Sequence, residues 1–158
     1  MTFVHEMQKF ADKTRRKRNE LVEDVVGYVV GRIDKRSPVG NPKTWQANIA
    51  RAGKNLPPLP AGYVGGRFRG NWQLGVGTVP AGVVARIDPD GFETVTAAIA
   101  EIPADAAGLV YTYVNNLPYA RRLEEGHSAQ SPPNGMVGLT VIDAHARVES
   151  TARDLNAK

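Results

Sequence analysis

The sequence predicts an α+β fold in which a small antiparallel β-sheet packs against a long N-terminal helix and a C-terminal helix. Three observations lead to this prediction. Apolar residues recur three or four positions apart near both ends of the chain, the middle of the chain alternates polar and apolar residues, and prolines and glycines concentrate between residues 37 and 66. At 158 residues and 42% hydrophobic, the chain suits one domain with a hydrophobic core, over residues 1–158.

The first predicted element is an amphipathic helix from about residue 3 to residue 34. The apolar residues at helical spacing are Phe3, Met7, Phe10, Leu21, Val25, Val29 and Ile33. The segment KTRRKR at residues 13–18 interrupts this stripe with charges all round the helix, so it must face solvent, DNA or an acidic partner. A solvated helix face is the simplest interpretation. The cations concerned are Lys13, Arg15, Arg16, Lys17 and Arg18.

A long extended loop is predicted over residues 37–66, which contain five prolines and five glycines. Long loops in compact domains are often interaction elements. We expect its apolar residues to contact either the core of the same subunit or a neighbouring subunit. They are Trp45, Ile49, Leu56, Leu59 and Tyr63.

Three strands are predicted in the middle of the chain. RFRGNWQLGVG, residues 67–77, alternates with period two, which indicates a half-buried strand. AGVVARI, residues 81–87, reads as the next strand. GLVYTYVNN, residues 108–116, is apolar on both alternations and is therefore predicted to be a central strand.

Helix-start signals at Asp88 and Asp90 predict a short helix that stops at Pro103. Its predicted apolar residues are Phe92, Val95, Ile99 and Ile102. Pro118 opens another short helix, with Gly126 as its C-terminal cap. Asn134 is the predicted cap of a final helix over about residues 135–155.

Charge is distributed unevenly along the chain. Residues 1–87 hold 15 Lys/Arg against 6 Asp/Glu, whereas residues 88–158 hold 5 against 10. A basic half can bind nucleic acid, and opposite halves can also dock head to tail on copies of the same chain. The charge distribution leaves both open.

The sequence offers little for catalysis, and we expect no enzyme activity, cofactor or metal site. Without cysteine, a thiolate nucleophile and a cysteine metal site are excluded. His127 beside Ser128 lacks the surroundings of a nucleophile elbow, and His145 with Glu149 supplies at most two metal ligands. No apolar run approaches the ~20 residues that span a bilayer, and the charged start is unlike a secretory signal, so no membrane partner is expected.

Two motifs resemble the tail-completion, or minor tail and head–tail joining, proteins of tailed bacteriophages. The first is SPVG followed by GRFRGNW, and the second is YVNNLPYARRLEEGHSAQSPPNGMV. Residues that match the first motif are Arg67, Phe68, Arg69, Asn71 and Trp72. Those that match the second are Asn116, Pro118, Tyr119, Ala120, Leu123, Glu124, Gly126, Ser128, Gln130, Pro132, Gly135 and Met136. About 26 residues separate SPVG from RFRGNW here, which makes residues 41–66 look like an insertion.

The resemblance implies a non-enzymatic structural protein of the virion neck or head-proximal tail, made in the host cytoplasm. Such proteins form rings, commonly hexameric, around the channel for genomic DNA, between connector or head-completion proteins and the tail terminator or tail tube. The matching residues would then serve the fold or the subunit interface, and we expect Tyr119 and Leu123 to be the main contacts. Alternatives are a tail terminator ring, a DNA-binding module that uses the basic half, and a small hydrolase centred on His127, Ser128 and Glu124.

Overall fold

The computed structural model describes residues 2–43, 61–127 and 134–157. Four helices and two strands lie in these ranges, in the order α1 (Phe3–Arg36), β1 (Trp72–Val76), α2 (Phe92–Ala100), β2 (Tyr111–Asn115), α3 (Ala120–Glu124) and α4 (Met136–Ala157). The two strands form an antiparallel sheet. The predicted α+β class, with its long N-terminal and C-terminal helices, is confirmed.

The helices α1 and α4 pack against each other in antiparallel directions. Arg147, midway along α4, donates to both carboxylate oxygens of Asp24, and Thr151, one turn further on, donates to Asp24 at 2.7 Å. Nearer the start of α4, Asp143 accepts from Arg32 at 3.0 Å and from Arg36 at 2.6 Å. These charged contacts, at residues 143–151 of α4, fix the register of the two helices.

One face of the sheet completes the core against α1. In β1, Trp72 lies opposite Asn115 and Val76 lies opposite Tyr111. Trp72 packs with Ile33 in one buried cluster, and Leu74 packs with Val30 of α1 and Ala98 of α2 in another. The sheet therefore packs on α1, and α2 packs beside the sheet.

The strand predictions were too long, and one was wrong. Residues 67–71 form a turn and a 3-10 helix (Arg69–Asn71) rather than a strand, because Gly70 donates to Gly66 O at 2.8 Å. Residues 81–87 are not a strand. The Asn71 side chain bonds both the N–H and the C=O of Val84, which replaces a strand's pairing. Since the sheet has two strands, residues 111–115 are not central.

The predicted start of α2 is confirmed, and its predicted apolar face is right in part: Val95 and Ile102 pack against the cluster of Val30, Leu74 and Ala98, but Phe92 and Ile99 do not face the core. Asp88 accepts hydrogen bonds from Gly91 N, Thr94 N and Thr94 Oγ1. Burial alone would raise the pKa of Asp88, but the bonds from Thr94 and Gly91 outweigh it and hold the pKa below its ordinary value. Thr94 and Ala98 are buried, whereas Phe92 and Ile99 are exposed.

The cap predicted at Gly126 is confirmed. Gly126 has φ +79° and donates to Leu123 O at 3.3 Å, while His127 donates to Arg122 O at 3.1 Å. This pair of bonds is the Schellman motif, which only a residue in the left-handed region can close. Glycine at this position therefore ends α3 and redirects the chain.

Candidate subunit-assembly surface

The residues of the first motif meet at the C-terminal end of α1. Trp72 Nε1 donates to Ser37 Oγ at 2.8 Å, and that hydroxyl donates to Ile33 O at 2.8 Å. Arg69 donates to Ser37 O at 3.0 Å and to Pro89 O at 2.6 Å. SPVG and RFRGNW are thus in contact although a long segment separates them in sequence.

The chain leaves and re-enters the fold at adjoining points. A Cβ built on Gly40 would lie 2.0 Å from the Tyr63 hydroxyl oxygen, and one on Gly65 would lie 2.2 Å from Gly40 O. Tyr63 is half-buried at this return point. The other predicted loop contacts, Trp45, Ile49, Leu56 and Leu59, lie outside the described residues.

Side-chain amides hold the ends of the sheet to neighbouring loops. Asn71 is fully buried and bonds Val84, as described above. Asn115 donates to Phe68 O at 2.8 Å, and Asn116 donates to Pro80 O at 3.0 Å. These amides satisfy backbone groups that no strand pairs.

Aromatic residues of both motifs pack together. The Phe68 ring lies 6.0 Å from the Trp72 ring, edge to face, and 6.2 Å from the Tyr119 ring. Leu123 packs on the same core cluster. Tyr119 stays 39% exposed, and Arg67 and Pro118 are exposed, so this is where the second motif reaches the surface.

Glu124 joins α3 to α4. Its carboxylate accepts hydrogen bonds from Met136 N at 2.8 Å, Val137 N at 3.1 Å and Gly138 N at 3.1 Å. These are N–H groups of the first turn of α4, which have no partner inside the helix and attract negative charge. The role predicted for Asn134 thus belongs to Glu124. Gln130, Ser128 and Pro132 lie outside the described residues.

The first turns of α1 form a bare arm, which we define as residues 3–16. Every residue of the arm is exposed. At 1.5 Å per residue it is about 21 Å long. Its exposed apolar side chains are Phe3 (80%), Val4 (63%), Met7 (51%) and Phe10 (67%).

The apolar stripe of the arm continues the face of α1 that packs on α4. Asp24, Tyr28 and Arg32 contact α4 residues. Steps of three or four residues back from them lead through Leu21, Lys17 and Thr14 to Phe10, Met7 and Phe3, so the basic segment interrupts the apolar stripe at Lys17. A groove of about 490 Å³ lies between this part of α1 and the last turns of α4; its lining includes Phe10, Leu21, Ala152 and Leu155 and the basic-segment residues Lys13, Lys17 and Arg18. N-terminal to this groove, the arm presents apolar side chains that no described element covers.

The predicted basic segment begins inside this arm. Lys13, Arg15, Arg16 and Arg18 are exposed and Lys17 is half-buried. None of these five cations forms an ion pair with a described carboxylate. Their charge is therefore free to act on a partner.

A second exposed surface has the opposite charge, and we call it the acidic face. Residues 87–120 contain five Asp/Glu and no Lys/Arg. On α2, Phe92, Thr96 and Ile99 follow one another at helical spacing, and all three are exposed. The acidic residues Asp90, Glu93, Glu101 and Asp105 are exposed around this ridge.

The described residues hold no evident chemical centre. No group of three or more His, Cys, Asp or Glu in them could hold a metal ion. His145 and Glu149 are both exposed on α4, and Glu149 instead lies 3.9 Å from Arg153. Of the three residues of the hydrolase candidate, Ser128 lies outside the described residues, and Glu124 accepts hydrogen bonds from the first turn of α4. No helix described here is long and apolar enough to cross a bilayer.

The sequence prediction missed the arm as a surface. Phe3, Met7 and Phe10 read as one stripe with Leu21 and Val25. The charges at residues 13–18 were the signal that could have separated them, because a helix with charges all round cannot continue into a core. Glu124 was singled out by its motif, but its target at the start of α4 could not be read from spacing.

Comparison with known proteins places the chain in no group: no family model, no curated protein and no solved structure matches it.

Proposed function

We propose that this chain is a non-enzymatic structural subunit of the neck or head-proximal tail of a tailed bacteriophage. Copies would form a ring, commonly hexameric, around the channel through which genomic DNA passes. The observation that carries this proposal is the bare arm, because a helix with exposed apolar residues and unpaired cations gains stability by docking on another molecule. Repeated heterologous contacts between identical subunits close into a ring when their rotation permits.

The phage setting is supported by the two motifs that resemble tail-completion and head–tail joining proteins. Their described residues link segments far apart in sequence: Ser37 with Trp72, Phe68 with Tyr119, and Glu124 with Met136. These contacts hold distant segments of the fold together, which supports a structural role for the two motifs. In this role the partners are connector or head-completion proteins on one side and tail terminator or tail tube proteins on the other.

The proposal is tested by imaging the purified protein and the virions. Negative-stain microscopy and mass photometry should show a discrete ring, and labelling with an antibody against the chain should mark the virion neck. Label at the distal end of the tube, or a protein that remains monomeric and is absent from virions, would contradict the proposal. Label at the head-proximal cap of the tube alone would favour the tail terminator variant.

A DNA-binding module is the second candidate, favoured by the unpaired cations Lys13 to Arg18. Such binding comes from phosphate contacts and weakens steeply with salt. A gel shift with duplex DNA at low salt tests it, with the variant Lys13→Glu/Arg16→Glu as the control. Absence of a shift for the wild-type protein would remove this candidate.

A further inference from the structure

We propose that the arm, residues 3–16, docks on the acidic face of a second copy of this chain, against the ridge formed by Phe92, Thr96 and Ile99. This inference rests on the proposed function and specifies its subunit contact. The arm supplies an apolar stripe and positive charge, and the acidic face supplies an apolar ridge and negative charge.

Charge selects the second copy's acidic face over its other surfaces. Residues 3–18 contain six Lys/Arg and two Asp/Glu, so pairing two arms would bring like charges together. The acidic face has no cation between residues 87 and 120. The outer face of α4 is apolar too, with Val141 and Ile142 exposed, but Arg153 lies at its end and its carboxylate Glu149 is already paired.

Geometry makes the contact intermolecular. The helix α1 has no glycine or proline between Phe3 and Val26, so the arm is rigidly continuous with the body. Ala98 of α2 packs beside Val30, which lies about 21 Å along the helix from Arg16 and about 40 Å from Phe3. Asp105, at the other end of the acidic face, accepts a hydrogen bond from Asn19 of the same α1 and so lies near the basic segment of its own copy. One copy's arm therefore cannot reach the ridge of its own α2 unless α1 breaks, and the ridge is the part of the acidic face that another copy must supply.

The arm and the ridge on α2 are also suited to pack together, because each is an exposed face of a helix. The stripe on the arm continues the line of α1 that already packs against a helix, so its natural partner is another helix face. On α2, Thr94 and Ala98 are buried against the body, which leaves the opposite ridge outward. Because arm and acidic face are different surfaces, the contact is heterologous and leaves both free on the outermost copies until a ring closes.

The test uses charge reversal in the full-length chain, followed by mass photometry and sedimentation velocity. Lys13→Glu/Arg16→Glu and, separately, Glu93→Lys/Glu101→Lys should each weaken assembly by about tenfold or more in the concentration for half-assembly. The two pairs combined in one chain should restore assembly in large part. Phe10→Ser should weaken assembly by about tenfold, as loss of one buried aromatic side chain does.

Matched controls separate a specific contact from general damage. Ile142→Ser changes a side chain that is 69% exposed, against 67% for Phe10, and Glu149→Lys reverses a charge on the same outer face of α4. Both should leave assembly unchanged. Circular dichroism of every variant should show a wild-type helical signal.

A peptide of residues 2–18 gives an independent readout. Labelled peptide should bind the full-length Phe10→Ser variant, whose acidic face is intact, and the Glu93→Lys/Glu101→Lys variant should bind it at least tenfold more weakly. Rings that form regardless of both charge reversals would overturn this inference while leaving the proposed function standing. A wild-type protein that stays monomeric and does not bind the peptide would overturn both, and assembly lost only with Ile142→Ser would move the contact to α4.

Discussion

Asp34 lies at the C-terminal end of α1, between Arg69 and the start of α2. It is 3% exposed, and its Oδ2 lies 3.6 Å from Arg69 Nε, while Oδ1 has no hydrogen-bond partner among the described residues. Burial raises its pKa to about 6, since Arg69 lowers the pKa by less and the carboxylates of Asp88 and Asp90 raise it further. Ionisation of Asp34 therefore opposes folding.

The expected consequence is a stability penalty that appears as pH rises. Below pH about 4, Asp34 is protonated in both the folded and the unfolded chain and does not change the free energy of unfolding. Between pH 4 and 6 the unfolded chain releases this proton while the folded chain keeps it, so the fold loses stability as pH rises. Above pH 6 the loss of stability is complete. Asp34→Asn should therefore stabilise the fold, relative to wild type, by about 1–3 kcal/mol more at pH 7.5 than at pH 4. Urea unfolding at the two pH values measures this, and an equal difference at both would contradict it.

At the residue scale, the sequence predicted that a strand is present but not where it begins. The alternation of residues 67–77 predicted a strand, and from Trp72 to Val76 there is one. The first five residues turn instead, because Asn71 and Arg69 bond Val84, Ser37 and Pro89, all distant in sequence. A period-two pattern carries no information about such tertiary hydrogen bonds, so the prediction failed where they take over.

At the element scale, α4 depends on a cap that belongs to another helix. Replacing Glu124 with Ala removes the acceptor of three N–H groups in the first turn of α4. This change should lower the free energy of unfolding by about 1–2 kcal/mol. Glu125→Ala is the matched control: its only described partner is Arg121, at the surface, so its cost should stay within about 0.5 kcal/mol. Denaturant midpoints at constant m-value give both numbers. Equal effects of the two changes would show that the cap contributes nothing.

The pairing of α1 with α4 has a charge clamp at Asp24 and Arg147. Their side chains are 30% and 41% exposed, so solvent screens the pair, and a double-mutant cycle of Asp24→Ala and Arg147→Ala should give a coupling of about 0.5–1.5 kcal/mol at pH 7.

The coupling energy between Asp24 and Arg147 should be lost in acid. The hydrogen bond from Arg147, more than any other cause, lowers the pKa of Asp24 below 3.8, although burial opposes it. The coupling is therefore complete above pH 3.8 and is lost as pH falls through the lower, folded-state value. Repeating the cycle at successively lower pH checks the sign: the coupling should decrease as pH falls, and a coupling that increases would contradict the ionic origin.

Helices were predictable as elements because their signals are local. The stripe of α1, the Asp88 start of α2 and the Gly126 end of α3 each depend on residues within a turn or two. The face that α2 buries was predictable only in part. Val95 packs on the core as expected, but Thr94 is buried because Asp88 binds its hydroxyl and its N–H, while Phe92 is exposed.

At the scale of the whole molecule, the sequence showed that basic and acidic residues are separated along the chain, but not where the fold places them. The structure places the basic residues 13–18 on α1 beside the last turns of α4, and leaves Asp90, Glu93, Glu101 and Asp105 around α2 exposed. Phe3, Met7 and Phe10, which the sequence placed on the apolar stripe of α1, proved to be exposed. The extent of α4 decides how much of α1 it covers, and that depends on tertiary register rather than on the periodicity of α1.

This arrangement predicts that assembly weakens as ionic strength rises. The Debye length falls from about 10 Å at 0.1 M salt to about 3 Å at 1 M, so attraction between the arm and the acidic face is screened. The fraction of the protein in rings, measured by sedimentation velocity, should fall steadily between 0.05 and about 0.5 M NaCl, whereas the helical signal should not change. The Lys13→Glu/Arg16→Glu variant should assemble less and respond less to salt, because its arm has lost the charge that salt screens. Assembly that is unchanged or strengthened by salt would mean that apolar contacts alone hold the subunits together, since salt does not weaken those.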